Sequence, residues 1–229
     1  MKQTMKHTQG PARAKDAGED NLTQRPLAHY GAIYRRLDPQ VVAKRTNLSF
    51  DSQKGVFCLH LVGITHYVTW PDFCLMDADG RECGTAYEAI LMLRYLCGGV
   101  YVPATGREIA YREFVDARLQ EIKFTTLVTW QIIKEFGNDL DSFKKVMEDH
   151  PELHAQALER CDAGYRLMFL DNLPLSIRIW RGDDEFLPSA QVLFDENFRF
   201  AFSTEDIAVA GTILIEHLIR LRDNKVVTA

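Results

Sequence analysis

Several groups of residues in this 229-residue chain have types and spacings that could do chemistry. Asp183, Asp184 and Glu185 stand in a row, and Asp195 follows in the same stretch. Carboxylates converging on one loop can hold a hard cation such as magnesium or calcium. Burial of one of them would raise its pKa into the acid–base range. The plainer account is local: Arg181-Gly182-Asp183-Asp184 reads as a turn, and Asp195 as a loop cap. Cys58 and His60 are two apart in a β-rich run, so their side chains share a strand face. With His66 they offer ligands suited to zinc, iron, or the metal of a haem or corrinoid, although Cys58 also serves as a small core hydrophobe.

Arg178 and Trp180 share a strand face as well, where a guanidinium can stack on an indole. With Tyr111, Arg112 and Trp130 they could line a pocket for a flat or anionic ligand, and a cavity beside them is the matching expectation. The alternative is a strand–helix interface crossed by an Arg stem. Cys74 and Cys83 flank the Asp77-Ala78-Asp79-Gly80 turn and would oppose each other if Ala78-Asp79 forms its centre. They read as a redox pair, as companions of Cys58 and His60, or as two unrelated thiols. Glu205 and Asp206 stand at a helix start, where the macrodipole alone accounts for them. The chain carries no GxSxG elbow, P-loop, HExxH or GxGxxG string.

The elements that must position these residues follow from periodicity. The run from Leu27 to Val42 has helical spacing and breaks at Asp38-Pro39. VFCLHLV (56–62) and THYVTW (65–70) read as strands of a hairpin with Gly63-Ile64 as its turn. That register pairs Leu61 with His66, Leu59 with Val68 and Phe57 with Trp70 on the core face. Thr85 and Glu88 form a capping box for a helix ending at Gly98-Gly99. Tyr111 to Gly137 reads as two short helices or one bent one. Asp139 or Asp141 starts the next helix, and Pro151 begins another, running to about Cys161. GYRLMFL (164–170) and LSIRIW (175–180) are strands joined through Asp171-Asn172, SAQVLF (189–194) is a short helix, and Ser203 to Asp206 caps the last helix. Strands in two hairpin-like groups, packed with several helices, make an α+β domain over residues 25–229. Residues 1–24 are mostly polar, with Met1, Met5 and Leu22 as their large apolar side chains, and are expected to be disordered.

Net charge is −5, and the Lys and Arg residues are scattered among acids. A nucleic-acid footprint is therefore not expected. No apolar run approaches the roughly 18 to 20 residues that span a bilayer, so no membrane partner is expected either. The N-terminus has no apolar core of a secretory signal. The expected compartment is the cytoplasm, with five cysteines as thiols.

The most particular string runs from Trp180-Arg181-Gly182-Asp183-Asp184-Glu185-Phe186 through Pro188-Ser189-Ala190 and Val192-Leu193-Phe194-Asp195 to Ser203-Thr204-Glu205-Asp206-Ile207-Ala208. This resembles a prokaryotic family, domain of unknown function 3786 (DUF3786). The helix Ala89 to Cys97 and the segment Tyr111-Arg112-Glu113-Phe114 resemble it too, and the similarity covers about Pro26 to Asp223. The resemblance implies a neighbourhood of anaerobic one-carbon or tetrapyrrole-type metabolism. Some members of that family are fused to a four-cysteine iron–sulfur domain, whereas this chain has no closely spaced four-cysteine run. Three functions follow as expectations. First comes a ligand-binding or accessory protein with a small-molecule or protein partner. The others are a small enzyme using carboxylates or a metal at Asp183–Asp195, and a protein–protein interaction module. No cofactor is assigned.

Overall fold

The computed structural model describes residues 16–223. The described residues open with α1 (Asp16–Tyr34) and α2 (Pro39–Thr46). The break between them falls at Asp38, whose carboxylate accepts from the Gln40 backbone N–H at 2.8 Å and caps α2. Next come β1 (Ser49–Asp51), β2 (Val56–Leu61), β3 (Ile64–Thr69), β4 (Leu75–Met76), α3 (Ala86–Gly98) and β5 (Glu108–Ala110). α4 (Glu121–Phe124) and α5 (Trp130–Phe136) are joined by a π-helical stretch, Thr125–Thr129, and form one bent helix. α6 (Leu140–Asp149), β6 (Gln156–Ala157), β7 (Ala163–Leu170), β8 (Leu173–Trp180), β9 (Ser189–Asp195), α7 (Phe198–Ala201) and α8 (Thr204–Arg222) complete the described residues.

Among the described residues, nine strands form one antiparallel sheet in the order β4-β3-β2-β7-β8-β9-β5, with β1 added to β2 and β6 to β7. The two expected hairpin groups are present, β2–β3 and β7–β8 with β9. They join where Leu61 pairs with Leu170. One sheet face is covered by helices. Tyr34 of α1 meets Phe57, Phe143 of α6 meets Tyr165, and Phe124 of α4 meets Phe194. The other face carries Cys58, His60, Tyr67, Arg166, Met168, Arg178, Trp180 and Gln191, all half-buried or exposed. That asymmetry follows from the period of two in each strand.

Four local expectations need correction. The β2–β3 turn is Val62-Gly63, not Gly63-Ile64, with φ of 46° and 78° at its two residues. Positive φ at both centres matches the right-handed twist of the flanking strands. The register is displaced by two residues, so the faces are the ones expected: Phe57, Leu59, Leu61, His66 and Val68 point to the core. SAQVLF is strand β9, because its side chains alternate against β8 and its backbone completes that edge. Pro151 starts only a 3-10 turn, Pro151–Leu153, which His154 ends at φ 49° before the chain enters β6. Finally, α1 begins at Asp16, so residues 16–24 are helical, and the expectation of disorder for residues 1–15 falls outside the described residues.

Gly63 illustrates how tightly the hairpin tip is docked. A Cβ built there would lie 2.3 Å from the Glu152 carbonyl oxygen, and φ is already left-handed. Gly63→Ala is expected to cost about 2 kcal/mol of unfolding free energy, the sum of strain and clash. Urea denaturation checks this; an unchanged midpoint would mean that the 150–154 turn moves freely.

Candidate functional site

The acids of the expected cluster do not meet. Asp183, Asp184 and Glu185 are exposed in the β8–β9 connection, beside Ser189 at the start of β9. Asp195 closes the far end of that strand, about 20 Å away at the rise of an extended chain. Asp183 accepts from the N–H groups of Glu185 at 2.9 Å and Phe186 at 2.7 Å, an aspartate turn that holds its carboxyl below the usual range. Asp195 is 1% exposed. Its Oδ1 accepts from Thr105 N at 3.0 Å, Thr105 Oγ1 at 2.9 Å and Asn197 N at 3.0 Å, and its Oδ2 from Gly106 N at 2.7 Å. Burial works against its charge, and these donors outweigh burial, so its pKa is lowered. Asp195 thus clamps the segment before β5 onto β9. Glu205 and Asp206 lie in the first turn of α8, where Ser203 caps and Arg94 pairs with Asp206.

Arg178 and Trp180 lie on the less-covered sheet face. The Arg178 guanidinium is engaged by Glu108 Oε2 at 2.7 Å and the buried Ser176 hydroxyl at 3.0 Å. Neither residue lines any of three clefts of 610, 660 and 440 Å³. Cys58 and His60 share that same face on β2. His60 Nδ1 is 2.8 Å from Asp171 Oδ1, and Asp171 Oδ2 accepts from the His60 N–H at 3.3 Å. Sequence reasoning missed Asp171, because only the β7–β8 turn landing on β2 brings it there. His66 points to the core instead, with Nδ1 3.0 Å from the Ile64 carbonyl. Among the described residues no group of three or more His, Cys, Asp or Glu is placed to hold a metal ion.

A family model described as domain of unknown function (DUF3786) matches residues 38–217. The chain belongs to the DUF3786 family. No curated protein and no solved structure matches it.

The DUF3786 match takes in α3 and the loop before it, which form one wall of a cleft of about 610 Å³ against α1. α1 contributes Leu27, Ala28, Gly31 and Ala32, α3 contributes Ala86, Ala89 and Leu93, and the loop adds Phe73, Cys74, Leu75 and Cys83. Arg35 and Asp72 form an exposed ion pair at the rim. Cys83 pairs opposite Leu75, one step off the expected Cys74–Cys83 opposition, through the Cys83 N–H donated to the Leu75 carbonyl at 2.9 Å. Burial, then the charges of Asp77 and Glu88, push the Cys83 thiol up to about 11. Burial and the charge of Glu82 raise Cys74 too. Both present neutral thiols to the cleft at pH 7.

Behind that wall lies a polar group that periodicity hid. Glu88 completes the expected capping box, accepting from Thr85 N at 2.6 Å while Thr85 Oγ1 accepts from Glu88 N at 3.2 Å. Its other oxygen accepts from Arg220 of α8 at 3.2 Å. His217, one turn earlier on α8, is 2% exposed, and neither ring nitrogen has a hydrogen-bond partner in the protein.

Proposed function

We propose that the chain is a ligand-binding or accessory protein that takes an amphipathic organic molecule in the cleft between α1 and α3. Gly31 carries this reading. A glycine inside a helix costs about 1 kcal/mol relative to alanine. Packing supplies no reason for it, since a Cβ added at Gly31 would meet no atom within 4 Å. The side chain it lacks would project into open cleft, and its neighbours Ala28 and Ala32 leave the same wall low. The apolar floor, the two neutral thiols and the charged rim suit a ligand with an apolar body and a polar end. A place in anaerobic one-carbon or corrinoid metabolism rests on the family resemblance alone.

The test uses anilinonaphthalene sulfonate, a fluorescent apolar anion, titrated into the wild type, Gly31→Ala and Gly31→Trp. Saturable binding should be retained by the alanine variant and lost in the tryptophan variant. Equal binding by all three would sink the assignment. Gly31→Ala should also gain about 1 kcal/mol in urea denaturation. Elemental analysis and a UV–visible spectrum of protein purified without oxygen then report whether a native ligand or metal accompanies the chain.

A further inference from the structure

We infer that the outer face of the bent helix α4–α5, with the turn that leads into it, is the surface on which the chain pairs with a second copy of itself. This surface shares no residue with the α1–α3 cleft. Five large apolar side chains stand in solvent there: Val115 at 76% exposure, Leu119 at 90%, Ile122 at 85%, Leu127 at 42% and Trp130 at 55%.

The exposure is built into the helix. Phe124, Val128, Ile132 and Phe136 are buried at a strict spacing of four residues. An α-helix turns every 3.6 residues, so that spacing drifts around a regular helix. The π-helical stretch Thr125–Thr129 takes up part of the difference and keeps these residues on the core side. That side is committed to α8. Gly211 of α8 leaves room for Phe124 and Val128, whose carbons lie 3.0 to 3.3 Å from where a Cβ would sit. Ile122, Leu127 and Trp130 therefore cannot turn inward. A helix face that met only water would carry polar side chains at those positions.

Area and charge select the occupant. At those exposures the five side chains present roughly 500 Å² of apolar surface, at the upper end for the largest patch on a monomer. That matches the apolar share of the roughly 800 Å² that each partner gives to a standard interface. Residues 115–131 hold two acids, Asp116 and Glu121, and two bases, Arg118 and Lys123. A patch without net charge has no excess of Lys and Arg to draw an anionic lipid surface or an acidic partner. It suits an isologous contact, in which one surface meets itself. With the two-fold axis crossing the helix, the two helices run antiparallel and their apolar stripes face each other. The bases of one copy can then face the acids of the other.

Sedimentation velocity on the full chain, across a range of concentrations, tests the inference. The wild type should be mostly a dimer, of twice 26.2 kDa, by about 50 μM, since standard-size interfaces bind at micromolar or tighter. Ile122→Glu should weaken the dimer roughly tenfold or more, because each copy brings a like charge into the apolar contact. Its circular dichroism spectrum should not change. Val41→Glu, at an exposed site on α2, should leave the dimer intact. A wild type that stays monomeric at that concentration, or a dimer that survives Ile122→Glu, overturns the inference. So does a monomeric wild type that pellets with phosphatidylserine-containing vesicles and loses this in Ile122→Glu, which assigns the stripe to a lipid surface. If Ile122→Glu loses helical signal, Leu119→Glu decides by the same tenfold criterion, since Leu119 ends a 3-10 turn ahead of α4.

Discussion

Replacing Asp195 by alanine should cost about 4 kcal/mol of unfolding free energy, the scale for removing one partner from a buried charged network. The carboxylate is 1% exposed and satisfies three backbone N–H groups and one hydroxyl. Arg166 lies 3.8 Å away on β7 and would lose its nearest anion. Thr105 and Gly106 are themselves exposed, so water can reach their donors in the variant, and the loss falls on the buried Asn197 N–H and on the anchoring of the segment before β5. The melting temperature should fall by roughly 10 °C for a chain of this length. Asp195→Asn separates charge from shape: an amide nitrogen would face one of the donating N–H groups, so it should recover only part of the loss. The acid dependence has a defined sign. The folded pKa of Asp195 is lowered, so its contribution is fully present above the unfolded carboxylate value of about 3.9. It is lost as pH falls through the lowered folded value. A variant as stable as wild type would show that the segment before β5 holds itself.

His217→Leu should stabilise the protein and remove much of its sensitivity to mild acid. Burial, then the positive charge of Arg220, push the His217 pKa down to about 4, against the favourable charges of Glu88 and Glu152 and the opposing one of His66. Below the unfolded value of about 6.5, the unfolded chain binds a proton that the folded chain refuses. Stability contributed by neutral His217 is therefore present above pH 6.5 and drains away as pH falls toward 4, by up to about 3 kcal/mol. His66, also lowered by burial, adds to the slope in the same direction. At pH 7 the leucine variant gains as well, by about 1–2 kcal/mol, because two buried ring nitrogens without protein partners are replaced by carbon. Urea denaturation from pH 7 to pH 4 checks both parts. A leucine variant with the wild-type acid slope would place the acid sensitivity elsewhere.

Much of this architecture was legible in residue order because its causes are local. The Thr85–Glu88 capping box, the Asp38-Pro39 break, the Asp139 cap of α6 and the Ser203 cap of α8 are each written in a few adjacent residues. The faces of β2, β3 and β8 follow from alternation, which survives a register displaced by two. SAQVLF misled because six residues with apolar side chains at mixed spacing fit either period. Only the exposed edge of β8 decides for a strand.

The site residues divide in the same way. The type and face of Cys58, His60, Arg178 and Trp180 came from order and period alone. What each one touches came from the tertiary structure. Asp171 is 111 residues from His60 in sequence, and Glu108 is 70 from Arg178. Asp183 and Asp195, close in sequence, are kept apart because an extended strand lies between them. Sequence by itself determined which groups could act and which way a strand turns them. Only the folded chain decided their partners, because hydrogen bonds and charge pairs depend on distances that long-range strand pairing and helix packing set.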